Sequence, residues 1–213
     1  MSTIENWKEI HAQLPKGVNL LAVSKGHSLE SIQKLTELGQ VDFGESRLQE
    51  AIPKLNGLIK FRKIQWHFVG HLQSNKVRGV VRNFNFIHSV DSQALAERIS
   101  RIAVEEGRSL QIMLQVKLAE DPSKGGFNPE ELKQKLPSIH NLSNLLPTGL
   151  MTIPPIDFCQ DQRRNLFEEC RSLANQLDLK DCSMGMSADW KEALQAGATW
   201  LRLGSCLFGS RQK

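Results

Sequence analysis

Short apolar runs alternate with longer amphipathic ones along the chain. LLAVSK (20–25) precedes SLESIQKLTELG (28–39), VDFGES (41–46) precedes RLQEAIPKL (47–55), and IQWHFVG (64–70) precedes SNKVRGVVRNF (74–84). FIHSV (86–90) leads into DSQALAERISRIAVEEG (91–107), LQIMLQVKL (110–118) into NPEELKQKL (128–136), and LLPTGLMTI (145–153) into DFCQDQRRNLFEECRSLANQL (157–177). CSMGM (182–186) then precedes SADWKEALQAG (187–197), and WLRLG (200–204) closes the series before CLFGSRQK. The first member of each pair reads as a buried strand and the second as a helix with one apolar face. The helices carry physical punctuation. Ser28, Asp91 and Ser187 can each accept a hydrogen bond from a free amide at a helix start, and Asn128 precedes Pro129 at a first helical position. Gly39, Gly107 and Gly197 stand where helices should stop.

A β/α chain of this kind needs parallel strands joined by crossovers, and eight such units close into a (β/α)8 TIM barrel. The alternative, a doubly wound open sheet, lacks its GxGxxG turn after the first strand. Trp7, Ile10 and Leu14, at helical spacing, predict an extra N-terminal helix covering one end of the barrel. With 213 residues, 40% of them hydrophobic, the chain is read as a single domain spanning residues 1–213.

Composition removes several function classes. The start, MSTIENWKEIHAQLP, lacks the apolar run of a secretion signal, and no run of eighteen apolar residues occurs, so a cytoplasmic protein without a membrane anchor is expected. Cys159, Cys170, Cys182 and Cys206 show neither CxxC spacing nor a Cys/His cluster, which argues for reduced thiols and against a metal site. A net charge of +4 comes from 27 basic residues dispersed among 23 acidic ones, so nucleic-acid binding is disfavoured. His67 and His71, if extended, lie roughly 13 Å apart, too far to share a metal. They read as packing or hydrogen-bonding groups, and Phe43, Trp66 and Phe68 as barrel packing.

The candidate chemistry lies at strand ends, where barrel active sites are built. Lys25 follows the apolar run LLAV, and either points at water or places an amine at the barrel mouth. Closure makes the eighth strand a neighbour of the first, bringing Arg202 beside Lys25 across 177 residues of sequence. Alternation sets Arg202 opposite Leu201 and Leu203, facing inward. An inward arginine needs a partner, either a carboxylate such as Asp42 or Glu45 or a ligand. After the last two strands, MGMSADW and LGSCLFG offer glycine amides and serine hydroxyls to an anion, although Ser187 also suits a simple helix cap. A lysine, an arginine and an anion cradle at one mouth suit a phosphorylated aldehyde or ketone that forms a Schiff base.

AVSKG, FGES, HFVGHLQSNK, GLMTI, SMGMSADW and LRLGSCLFGSR occur in this order over nearly the whole chain. Together they resemble the pyridoxal phosphate homeostasis protein family, itself similar to the barrel domain of bacterial alanine racemase. The resemblance implies pyridoxal 5'-phosphate joined to Lys25, with Arg202 at the pyridine nitrogen and the phosphate near Ser187, Gly204 and Ser205. Ser46 and Met184 are carried over as further cofactor contacts, Ser46 as a departure, since the family usually shows asparagine there. The apolar residues Leu21 and Val23 and the nearby Arg202 would favour a neutral, nucleophilic amine on Lys25.

Cofactor binding does not by itself imply catalysis. An arginine at the pyridine nitrogen keeps that nitrogen an unprotonated acceptor, which makes the ring a poor electron sink. The alanine racemase pair of bases includes a tyrosine from a second domain, and this sequence contains no tyrosine. The expectation is a monomeric carrier that buffers or delivers the cofactor, with apo-enzymes or a regulatory protein as partners. The rival readings are a weak amino-acid racemase and a Schiff-base aldolase.

Overall fold

The computed structural model describes residues 2–209. Eight strands pair in parallel in chain order and the last pairs back onto the first, closing the barrel that the β/α rhythm predicts. They are β1 (Asn19–Val23), β2 (Asp42–Glu45), β3 (Gln65–Phe68), β4 (Phe86–Val90), β5 (Leu110–Gln115), β6 (Leu145–Met151), β7 (Asp181–Ser183) and β8 (Trp200–Leu203). The helices are α1 (Thr3–Gln13), α2 (Leu29–Glu37), α3 (Leu48–Gly57), α4 (Val77–Asn83), α5 (Gln93–Glu105), α6 (Pro129–His140), α7 (Gln160–Gln176), α8 (Trp190–Gln195) and α9 (Ser205–Phe208). Among the described residues, no helix is long and apolar enough to cross a membrane.

Strand parity decides what each side chain meets. Leu20 and Ala22 on β1, Phe43 on β2, Cys182 on β7, and Leu201 and Leu203 on β8 join the main core between sheet and helices. Leu21 and Val23 instead pack with Met113, Met151 and Trp200 in a second cluster, inside the barrel. The same alternation turns Gly44, His67, Ser183 and Arg202 to the lumen. Space at Gly44 is tight: a Cβ would stand 3.3 Å from the Leu21 side chain, which would have to shift by a few tenths of an ångström. The helices bury the opposite faces. In α4, Val77, Val80 and Val81 are buried while Arg78 and Arg82 reach solvent-side glutamates.

Two of the four expected N-terminal caps and the three expected glycine stops are found. Ser28 accepts from the Ser31 amide at α2, and Asn128 accepts from Glu131 at α6, with Pro129 in the first turn. Gly39, Gly107 and Gly197 follow α2, α5 and α8. Two caps differ from the sequence reading. At α5 the cap is Ser92, whose hydroxyl accepts from Leu95, while the Asp91 carboxylate faces His71 at 3.6 Å. At α8 the preceding residue is Asp189, and Ser187 serves a different helix, described below.

The N-terminal helix is present, but it does not cover a barrel end. Asn6 donates to the Leu207 carbonyl, beyond the C-terminal end of β8, and Trp7 donates to Gln40, just before β2. These contacts run α1 down the outer wall beside α9 and α2. Ile10, buried, is its anchor in the main core, with Trp7 and Leu14 packed against that core.

Candidate functional site

A cavity of about 350 Å³ opens at the C-terminal ends of the strands. Val23, Val69, Ile153 and Met186 give it apolar walls, and Lys25, His27, Ser187, Arg202, Gly204 and Ser205 give it polar groups. A larger cleft, about 560 Å³, lies beside His71, Asp91, Arg98 and Arg101. That cleft mixes both signs of charge and has no strand-end lysine, so size does not make it the site.

Lys25 stands in a turn just past β1. The His27 amide donates to the Ser24 carbonyl at 3.0 Å, closing Ser24, Lys25, Gly26 and His27 into a four-residue turn. Gly26 is its third residue with φ of 74°, the left-handed value that a type II turn requires there and that glycine takes without strain. Both flanks of Lys25 are anchored. The Ser24 hydroxyl donates to Glu45 Oε1 at 2.7 Å, and the Lys54 ammonium donates to the Ser24 carbonyl at 2.8 Å. Lys54 also donates to Glu45 at 2.7 Å and to Glu50 at 3.0 Å, and Glu50 accepts from the Gly26 amide. Glu45 thus points into the sheet–helix layer, away from the lumen. Burial pushes its carboxyl above the ordinary glutamate value, although Lys54 and Ser24 pull it back.

Arg202 occupies the lumen side of the same cavity and is 5% exposed. Neither carboxylate considered from sequence touches it. One terminal nitrogen donates to the Ser183 carbonyl and, at 2.8 Å, to the Ser183 hydroxyl, while the other donates to the Thr152 carbonyl at 3.0 Å. A guanidinium carries five N–H groups, so two remain beyond these three bonds. Burial lowers the Arg202 pKa to about 10, partly offset by Asp189 and Cys170, and the group stays cationic at neutral pH.

Behind Arg202 runs a buried polar chain. The Ser183 hydroxyl lies 2.8 Å from His88 Nδ1, His88 Nε2 lies 2.9 Å from His67 Nδ1, and His67 Nε2 lies 3.0 Å from Asp42 Oδ1. Asp42 starts β2, at the opposite end of the barrel from the cavity. The sequence marks His67 as packing or a hydrogen-bonding group and does not single out His88 or Ser183. Parity within FIHSV and CSMGM was the available signal.

The remaining site residues fall in three places. Ser187, Gly204 and Ser205 line the cavity with Lys25 and Arg202. The Ser187 hydroxyl accepts from the amides of Gly204 at 3.3 Å and Cys206 at 3.2 Å, so it ties the loop after β7 to the start of α9. Ser46 lines a neighbouring cleft with Arg47, His71 and Lys76. Met184 is fully buried in the main core, turned away from the lumen by strand parity, and Met186 supplies the methionine that lines the cavity. Residues 210 and 211 of the LRLGSCLFGSR motif lie outside the described residues.

A strand-end lysine and an inward arginine facing one cavity of a (β/α)8 barrel define a class, and the family model for the alanine racemase N-terminal domain matches residues 2–212. The pyridoxal phosphate homeostasis protein of Synechocystis sp. is 46% identical over 211 residues, covering 96% of this chain and 97% of its own length. The protein of that name from Escherichia coli is 31% identical over 207 residues, covering 92% and 87%. The chain belongs to the pyridoxal phosphate homeostasis protein family. Among solved structures, PipY of Synechococcus elongatus with PLP bound superposes with a TM-score of 0.93 at 43% identity, covering 98% of this chain and 100% of that one. Alanine racemase of Clostridium difficile shares the fold alone, with a TM-score of 0.81 at 19% identity over 100% of this chain and 60% of the racemase.

Proposed function

We propose that this protein binds pyridoxal 5'-phosphate, held as a Schiff base on Lys25, and serves to buffer or deliver the cofactor. The observation that carries the reading is the pairing of Lys25 with Arg202 across one cavity, where the buried guanidinium keeps two N–H groups beyond its acceptors among the described residues. The donor set fits the cofactor. Lys25 supplies the amine that condenses with an aldehyde, releasing water; Arg202 supplies a donor for a ring nitrogen; Ser205 and the backbone around Gly204 face the same space for a phosphate. Ser187 positions that wall through the Gly204 and Cys206 amides. Met184 has no place in this arrangement, and Ser46 contacts the cofactor only if the neighbouring cleft joins the cavity.

The proposed role is that of a carrier. A cationic donor at the ring nitrogen leaves it unprotonated, so a carbanion gains little stabilisation. The proposal includes a monomer acting in the cytosol, because one barrel supplies every contact named above, with apo-enzymes receiving the cofactor and apo-enzymes or a regulatory protein as partners. The test is a visible spectrum of the purified protein with pyridoxal 5'-phosphate, before and after borohydride, followed by peptide mapping. Absorption that borohydride abolishes, with the pyridoxyl group on Lys25, is the expected result. A protein that never acquires colour would refute the reading.

A further inference from the structure

We infer that Ser183, His88 and His67 form one unidirectional hydrogen-bond chain ending on Asp42 that positions Arg202 from behind, so that residues with no access to the cavity tune the group that meets the cofactor. The inference rests on the proposed cofactor site for its consequence, but not for the chain itself.

The direction follows by elimination. Arg202 can only donate, so the Ser183 oxygen accepts from it at 2.8 Å. Asp42, as a carboxylate, can only accept, so His67 carries hydrogen on Nε2. A neutral His67 then offers a lone pair at Nδ1, which requires His88 to donate from Nε2 across 2.9 Å. His88 in turn presents a lone pair at Nδ1, and the Ser183 hydroxyl donates to it at 2.8 Å. Every link is satisfied once, running from cation to anion.

The alternatives each break a link. Reversing both rings aims the His67 Nε2 lone pair at a carboxylate. A doubly protonated His67 forces His88 to donate to Ser183, whose hydroxyl hydrogen then has no other acceptor among the described residues. It would also place a charge on a ring with 0% exposure. Burial holds both imidazoles below the ordinary histidine value, His88 well below, with His67 and Arg202 adding to the effect there. Stacking fixes the rings as well: His67 lies flat on Phe86 with centroids 4.1 Å apart, and Trp200 touches both imidazoles.

The chain matters for Arg202 because the Ser183 hydroxyl gives its hydrogen to His88 and so becomes a better acceptor for the guanidinium. Together with the Ser183 and Thr152 carbonyls, it holds the planar group in one orientation, with the remaining N–H groups in a fixed direction. Ser183, His88, His67 and Asp42 are positioning residues, since none of them lines the cavity.

Two measurements test this. The first needs no cofactor: long-range proton–nitrogen NMR of the labelled protein at neutral pH, with signals assigned by their loss in His67→Gln and His88→Gln. Both rings should appear as neutral Nε2–H tautomers, and an Nδ1–H tautomer of His88 or a doubly protonated ring would overturn the chain. The second measures visible absorption and equilibrium dialysis of His88→Phe with pyridoxal 5'-phosphate. A shifted absorption maximum and roughly threefold to tenfold weaker binding support the coupling. A folded variant with unchanged spectrum and affinity overturns it. If His88→Phe does not fold, Asp42→Asn at the far end takes its place: a moved His88 Nδ1 resonance supports the chain and an unmoved one overturns it. Wild-type protein that binds no pyridoxal 5'-phosphate refutes the proposed function, while the tautomer measurement still decides the chain.

Discussion

Glu45 and Lys54 form an ion pair of 2.7 Å in the layer between β2 and α3, and both also grip Ser24, the residue before Lys25. The pair is therefore part of the scaffold of the lysine turn. Lys54→Met would leave the buried Glu45 carboxyl without its cation, with a cost of up to about 5 kcal/mol. Urea unfolding of the variant measures that loss, and an unchanged midpoint would contradict it. Dialysis should also show weaker cofactor binding.

Glu45 carries a pH signature of a particular sign. Its carboxyl is raised by burial, so the folded chain holds that proton more tightly than the unfolded chain does. From the unfolded value near 4.5 up to the raised folded value, this group makes stability fall as pH rises. Glu45→Gln removes the titration. The stability of the variant relative to wild type should therefore improve with rising pH across that window, as followed by urea midpoints at several pH values; a difference moving the other way would contradict the raised carboxyl.

Lys25→Ala should abolish the borohydride-stable pyridoxyl adduct and leave the fold intact, because the contacts that hold its turn use Ser24 and Gly26. Mass mapping of the wild type gives the contrast. Lys124, which donates to the Ile153 and Pro154 carbonyls near the cavity rim, should remain unlabelled. An adduct mainly on Lys124 or Lys76 would defeat the assignment.

The two serines of the proposed phosphate wall should separate. Ser187 caps two amides at the start of α9, so Ser187→Ala costs about 1 kcal/mol of stability as well as affinity. Ser205 is exposed at the cavity edge, and Ser205→Ala should alter binding alone. Thermal melts beside dialysis distinguish the two. Equal affinity for pyridoxal with and without its phosphate would remove the phosphate site.

A carrier should exchange the α-proton of alanine far more slowly than enzymes turn over. Incubation with pyridoxal 5'-phosphate and alanine in deuterated water, followed by NMR, should show wild-type exchange well below about 1 per second. Exchange at that rate would establish an enzyme instead.

The barrel was legible because its signal is distributed over many turns of one rhythm: apolar run, capped helix, apolar run. Lys25 and Arg202 were legible for a related reason, since position at a strand end and parity within WLRLG are local properties that barrel closure converts into proximity. Met184 shows the limit. Within SMGMSADW the motif points to methionine, whereas the alternation that turns Ser183 inward at the end of β7 leaves Met184, the next residue, in the outer core. The partner of Arg202 was not legible either. A search for a carboxylate finds Asp42, but the connection passes through two imidazoles and a hydroxyl on three other strands, and no spacing in one sequence reveals a contact assembled from five strands.

The position of α1 bears on how the site comes into being. Its Asn6 holds the carbonyl of Leu207, and the wall beside Gly204 and Ser205 belongs to that same last turn. Lys25, just past β1, lies early in the sequence and Arg202, on β8, lies late, and the two come together only when β8 docks on β1. The pocket therefore cannot assemble piecemeal during synthesis: a growing chain that has made its lysine holds an amine with no guanidinium opposite and no last turn for the first helix to clasp. Cofactor capture becomes a late event in folding, and occupancy reports that the barrel has closed.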